Sequence, residues 1–196
     1  KMVAAQHEKS SRDRVLAAAR DLFNSHGFHQ TSMAELASAA QVSVGQIYRL
    51  FKGKEDIIEA IVHADADQWA EDVDILRKRL DSGELSIDDT FEQLMLHVID
   101  EKDEALSFDI LAESFRNPTV GEMIGTMCGR FRDDIRDFAC AANPELSGEA
   151  LDGAEEMILA CMFGLGHRSL SRPNLSPEAS ARRAAQMIVA GLKAVR

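Results

Sequence analysis

Apolar residues recur every three or four positions along most of the chain, which is the spacing of one face of an α-helix. The longest such series predicts one helix over Glu55–Leu80. Two more are predicted at the end of the chain, over Gly148–Leu170 and Pro177–Val195. No stretch alternates between apolar and polar residues as a convincing strand would. The pattern therefore predicts an all-α fold of about nine helices.

Several helix starts are marked by a Ser or Thr with an acidic or amide residue three positions later, the spacing of a capping box. These pairs are Ser10 with Asp13, Ser32 with Glu35, Ser43 with Gln46, Ser86 with Asp89, and Thr119 with Glu122. Glycine ends the first helix at Gly27, and Ser176 with Pro177 is a typical start for the last.

Two short amphipathic segments lie close together between Thr31 and Lys54. The first carries apolar residues at Met33, Leu36, Ala37 and Ala40, and the second carries Ile47 and Phe51, four positions apart. A four-residue corner, residues 40–43, separates them. Two separately capped helices joined by such a corner predict a helix-turn-helix, in which the second helix enters the major groove of DNA.

The same stretch resembles the DNA-binding region of the TetR (tetracycline repressor) family of bacterial regulators. The matching residues are Thr31, Ser32, Leu36, Ala37, Ala40, Val42, Ser43, Gly45, Ile47, Tyr48, Phe51, Lys54 and Glu55. Gln41, Gln46 and Leu50 depart from the family pattern, and Gln41 replaces a glycine of the turn. The resemblance implies a DNA-binding domain over 1–54, a ligand-binding and dimerisation domain over 55–196, and a two-fold homodimer on an operator in double-stranded DNA.

Candidate DNA contacts lie on the two short helices and just after them. They are Thr31, Ser32, Ser43, Val44, Gly45, Gln46, Tyr48, Arg49 and Lys54. Arg49 suits a guanine edge or a phosphate, and Gln46 suits an adenine edge or the capping box. The resemblance implies that the Tyr48 hydroxyl contacts a phosphate. The alternative for each is an ordinary solvated or capping residue.

The charge distribution agrees with a DNA-binding head. The chain has a net charge of −11, but residues 1–55 hold eight Lys and Arg against five Asp and Glu. The head thus carries +3 and the remainder −14, an asymmetry that orients the head toward phosphate. No apolar run reaches the length of a membrane span and no secretion leader is visible, so a cytoplasmic protein with no membrane partner is expected.

The domain over 55–196 is expected to bind a small-molecule effector, because the resemblance implies a regulator that releases DNA when its effector binds. The candidate pocket residues are Trp69, Met95, His97, Phe108, Met123, Met127, Phe131 and Met162. Methionines at helical spacing are more often plain core. The helix around Met157–Leu165 is apolar on several sides, so candidate dimer residues are Ile158, Cys161, Leu165, Ile188 and Leu192.

Three other functions stay open. A helical-bundle metalloenzyme would use carboxylate–histidine pairs such as Glu59 with His63, or His97 with Glu101, although neither has the Glu-x-x-His spacing. A redox sensor would use Cys128, Cys140 or Cys161. A regulator could also answer to a protein partner instead of a ligand. The sequence lacks a phosphate loop, a nucleophile elbow and a metal-binding cysteine cluster, so neither an enzyme nor a cofactor is expected.

Overall fold

The structure, a computed structural model, describes residues 10–99 and 102–195. Within these residues it contains nine α-helices and no strand, which confirms the all-α prediction. The helices are α1 Ser11–His26, α2 Met33–Ala39, α3 Val44–Leu50, α4 Lys54–Asp81, α5 Ile87–Val98, α6 Glu104–Ser114, α7 Pro118–Ala142, α8 Gly148–Gly166 and α9 Pro177–Ala194. A single 3₁₀ turn, Arg168–Ser171, follows α8.

Most helices begin where the sequence predicts. Complete capping boxes form at Ser10, Ser32 and Ser86, and the Ser176 hydroxyl caps α9. The predicted cap of α7 is wrong: the Asn117 side chain accepts the first N–H groups, because Pro118 already occupies the first helical position. Asparagine is as good a cap as serine, and proline suits the position that follows it.

The predicted end of α8 at Leu170 is also wrong, because the α-helix stops at Gly166. Glycines at 164 and 166 weaken the helix there. The chain then turns so that the Arg168 side chain becomes buried and donates a hydrogen bond to the Leu175 carbonyl. That bond gives the buried guanidinium an acceptor, which offsets part of the cost of burying its charge.

The chain packs as two compact units. The first comprises Lys1–Asp65 and Ala105–Met123, and its core includes Phe23, Leu36 and Ile47. The second comprises Ala66–Glu104 and Ile124–Arg196, with Phe91 and Phe138 fully buried at its centre. The predicted functional division between residues 54 and 55 stays a prediction. None of the helices within the described ranges has the length and apolarity that a bilayer crossing requires.

Candidate functional site

Helices α2 and α3 form the predicted helix-turn-helix in the first unit. Leu36 and Ile47 are fully buried, with α2 packed against both α1 and α3. The corner between them depends on Gln41, whose φ is 56°, and on a hydrogen bond from the Val42 N–H to the Ala37 carbonyl at 3.0 Å. Gln41 therefore occupies the left-handed conformation that glycine adopts more readily.

One face of α3 is exposed while Ile47 anchors the opposite face. Val44 is 51% exposed and Tyr48 is 53% exposed, and Arg49 is exposed beside them. A Cβ added to Gly45 would meet no heavy atom within 4 Å, so the backbone there is open to an approaching molecule. The helix thus presents an apolar, a phenolic and a cationic group from its first two turns.

Gln46 does not complete the predicted capping box. The Ser43 hydroxyl accepts the Gln46 backbone N–H at 3.1 Å, but the Gln46 side chain turns away toward α1. Its Nε2 donates to the Ser11 hydroxyl oxygen at 3.0 Å. The same oxygen accepts a hydrogen bond from Arg14 at 3.3 Å, and the Arg14 Nε donates to the Ala40 carbonyl at 3.1 Å. A continuous set of hydrogen bonds therefore joins α1 to the turn and to α3.

Three of the predicted DNA contacts use their side chains within the protein. Thr31 is 1% exposed and donates to the Gly27 carbonyl at 2.9 Å. The Lys54 ammonium donates to the Phe28 carbonyl at 2.7 Å and lies 4.7 Å from the centre of the Phe28 ring. The Ser32 N–H and hydroxyl donate to Glu35 and lower the pKa of that carboxyl. Their predicted contacts with DNA stay predictions.

Helix α6 is held to the end of α1 and to the loop after it, a contact that no sequence pattern predicts. The Asp109 carboxylate accepts the Phe28 N–H at 2.9 Å, and the Asn24 side-chain oxygen accepts the Leu106 N–H at 2.9 Å. A third contact joins His29 and Glu113 at 3.3 Å. Residues about 80 positions apart therefore belong to the same compact unit as the helix-turn-helix.

In the second unit, three candidate effector residues meet around Trp69. Its ring centre lies 5.1 Å from that of His97 and 4.8 Å from that of Phe131. His97 is paired with Asp72 at 3.3 Å. The buried indole N–H lies near Asp134 without a hydrogen bond of ordinary geometry. Burial raises the pKa of the Asp134 carboxyl above its ordinary value, and Arg77 offsets only part of that increase. This is a polar cluster next to an aromatic pair.

A cleft of about 280 Å³ opens beside this cluster, between α4 and α5. Trp69 and His97 line it together with Asp72, Arg79 and Gln93, which the sequence did not single out. The volume lies just under the range of typical small-molecule sites. The remaining candidates lie elsewhere: Met95 and Met162 are core residues of the second unit, Met127 is half-buried on α7, and Phe108 and Met123 belong to the first unit.

An apolar groove runs along α8 and α9. Met157 is 62% exposed and Met187 is 77% exposed at its surface. Of the predicted dimer residues, Cys161, Leu165 and Ile188 are half-buried and line the groove. Ile158 and Leu192 also line it, but they are buried in the core of the unit. Exposed methionines on adjacent helices are typical of a surface that another molecule covers.

The residues proposed for other chemistry do not converge. Among the residues described, no three or more His, Cys, Asp and Glu side chains are arranged to hold a metal ion. His63 and Glu59 form an exposed pair at 3.6 Å, and Glu101 lies outside the described residues. Burial raises the pKa of the Cys128 and Cys161 thiols, which disfavours the reactive thiolate.

Comparison with known proteins supports the regulatory reading of the helix-turn-helix. Residues 15–61 match the model of bacterial regulatory proteins of the tetR family. The transcriptional regulator UidR of Escherichia coli K12 is 31% identical over 116 residues, which cover 58% of this chain and 57% of UidR. The chain therefore spans about half the length of the curated relatives it matches.

Solved structures match over nearly the whole chain. Salmonella enterica GusR has a TM-score of 0.69 at 25% identity, covering 97% of this chain and 100% of GusR. Bacillus subtilis FadR in complex with stearoyl-CoA has a TM-score of 0.73 at 15% identity, covering 91% and 97%. The latter likeness shows the fold alone. From the helix-turn-helix and the family-model match together, the chain carries the DNA-binding domain of the tetR family of bacterial regulatory proteins.

Proposed function

We propose that this regulator is a repressor that binds a palindromic operator as a homodimer and releases it when a small molecule binds the second unit. The observation that carries the DNA-binding part is the outward face of α3. Val44, Tyr48 and Arg49 are exposed there around an unobstructed Gly45, while Ile47 fixes the helix from behind. Arginine suits guanine or phosphate, and a valine methyl suits the thymine methyl.

The groove on α8 and α9 supports the homodimer. A large exposed apolar surface is costly in water, and a second copy of the same groove would cover it by a two-fold contact. Two copies bring two recognition helices to DNA. With the two helices about 34–36 Å apart, each would read one half-site of a near-palindromic sequence.

The aromatic and charged residues around Trp69 support an effector site in the second unit. Trp69 offers a ring face, while Asp72 and His97 can orient a polar group beside it. An effector that releases DNA must bind the DNA-bound form more weakly than the free form, since the coupling between two sites is reciprocal. The stearoyl-CoA bound to FadR does not indicate the effector of this chain, because the two proteins share only the fold.

The first experiment isolates the DNA sequence. Purified protein is mixed with fragments of the genome that encodes it, and the retained fragments are sequenced. An enriched inverted repeat supports the proposal, provided that Arg49→Ala weakens retention while Lys78→Ala, a matched loss of an exposed cation on α4, does not. If the folded, dimeric wild type enriches no sequence, operator binding is refuted.

The second experiment tests effector control. Trp69 is the only tryptophan, so its fluorescence reports directly on the second unit. Compounds related to the genes beside the enriched repeat are titrated against this signal and against the protein–DNA complex. A compound that changes the fluorescence saturably and releases DNA at the same concentration supports the proposal. Release by a purified protein partner alone would favour the alternative of protein control.

A further inference from the structure

Ser11 occupies a position that no DNA-contact prediction included. It is the first residue of α1, yet its hydroxyl oxygen lies 3.0 Å from Gln46 Nε2 at the start of the recognition helix. Arg14 donates to the same oxygen at 3.3 Å and also donates to the Ala40 carbonyl. A hydroxyl oxygen has two acceptor sites, so Gln46 and Arg14 together occupy both.

These hydrogen bonds restrict Gln46. A glutamine side chain on a helix surface loses considerable rotamer freedom when it is held in one orientation. Here Ser11 supplies that restraint from the protein side, and the Arg14 bridge fixes Ser11 relative to the turn. Gln46 is half-buried, whereas Val44 and Gly45 before it are exposed. The amide is therefore held in place before any DNA is present.

The amide keeps the groups that recognise adenine. Its nitrogen carries two N–H donors, of which Ser11 accepts one. The other N–H and the carbonyl oxygen remain, and they match the N7 acceptor and the N6 donor of adenine in the major groove. A glutamine side chain that is already oriented loses less conformational entropy on forming this contact than a freely rotating one does.

We propose that Ser11 is a positioning residue for sequence specificity: it holds the Gln46 amide so that Gln46 selects adenine at one position of each half-site. Ser11 acts through Gln46 and touches no base itself. This inference rests on the proposed DNA-binding function. It assigns a sequence-reading role to the first helix, outside the helix-turn-helix.

The experiment compares base preferences by selection from a random DNA library followed by sequencing. The variants are Ser11→Ala, Gln46→Ala and the double variant. Ser11→Ala keeps the Ser10 capping box, and alanine is a good helix former, so the fold is retained. Ser10→Ala is the matched control, because it removes the cap of α1 but neither of the two groups that form the bond between Ser11 and Gln46.

We expect Gln46→Ala to lower the preference for adenine at one position per half-site by about fivefold or more, the weight of one bidentate base contact. Ser11→Ala should lower the preference at that same position, and the double variant should lower it no further than Gln46→Ala. Ser10→Ala should lower thermal stability without changing any base preference. Ser11→Thr, which keeps a hydroxyl at this position, should keep the preference.

Two results would overturn the inference. One is an unchanged base profile in Ser11→Ala. The other is an equal loss of affinity on all sequences, which would make Ser11 a phosphate contact or a purely structural residue. Both differ from failure of the proposed function, in which the wild type itself selects no sequence.

Discussion

Gly45 provides the sharpest test of how the recognition helix approaches DNA. In a helix, glycine costs about 0.5–1 kcal/mol relative to alanine because it loses more backbone freedom on folding. A Cβ at position 45 meets nothing within 4 Å in the free protein, so Gly45→Ala adds no steric cost to folding. We therefore expect the variant to be more stable, by up to about 1 kcal/mol, or about 2–4 °C in Tm.

The same methyl group should weaken DNA binding. It would lie at the exposed start of α3, between Val44 and Tyr48, where the proposed complex brings the helix backbone against the major groove of DNA. Displacing the helix enough to lose one base contact would cost about 1–3 kcal/mol, or about five- to 150-fold in affinity. Stability and affinity should thus change in opposite directions.

Thermal unfolding and fluorescence anisotropy on the selected operator measure the two effects. Gly125→Ala is the matched control, because Gly125 lies on α7 and its added Cβ also meets nothing within 4 Å. It should gain stability and bind DNA as the wild type does. If Gly45→Ala binds the operator with wild-type affinity, the backbone at Gly45 does not closely approach DNA, and the proposed docking of α3 is wrong.

Four further predictions concern single residues. Arg49→Ala should cost about 1–3 kcal/mol and relax base preference if it reads a base, whereas equal weakening on all sequences would show a phosphate contact. Lys54→Ala should lower the slope of log affinity against log salt concentration by about one per half-site; an unchanged slope would leave Lys54 with its contacts inside the protein and no phosphate contact. Hydrogen bonds from Ser32 hold the folded-state pKa of Glu35 below its ordinary value of 4.5, so the ionised carboxylate stabilises α2 above that pH. This stabilisation should be lost as the pH falls from there through the lower folded-state pKa. Unfolding of wild type and Glu35→Gln from about pH 6 to about pH 3 measures this, and a constant difference would contradict it. Met187→Asp should weaken dimerisation about 100-fold or more in sedimentation equilibrium, since each copy loses the burial of a methionine; an unchanged dimer Kd would remove the α8–α9 groove from the interface.

Features that depend on neighbouring residues could be predicted from the sequence. The capping boxes at Ser32 and Ser86 involve residues three positions apart, and both form as predicted. The bond between Ser11 and Gln46 spans 35 positions, and the bond between Asp109 and Phe28 spans 81. No periodicity encodes such pairs, because each depends on how separate helices pack.

The apolar composition of α8 explains why the exposure of Met157 could not be predicted from the sequence. A helix that is apolar on several sides predicts burial but does not show which side faces its own core. Ile158 and Leu192 were predicted to lie at a dimer contact, and they also pack in the core of the second unit. The adjacent Met157 and Met187 are exposed instead. Only the packing of α5, α8 and α9 distinguishes the two sides.

The attachment of α6 bears on the construction of chimeric regulators. A designer who joins residues 1–54 to the body of another protein leaves Asp109 and Leu106 behind, although they bond to Phe28 and Asn24. Each lost hydrogen bond removes about 1 kcal/mol from the transplanted piece. The portable module is discontinuous in the chain. A functional exchange of sensors therefore needs a recipient whose own α6 supplies a carboxylate and an N–H group at the equivalent places.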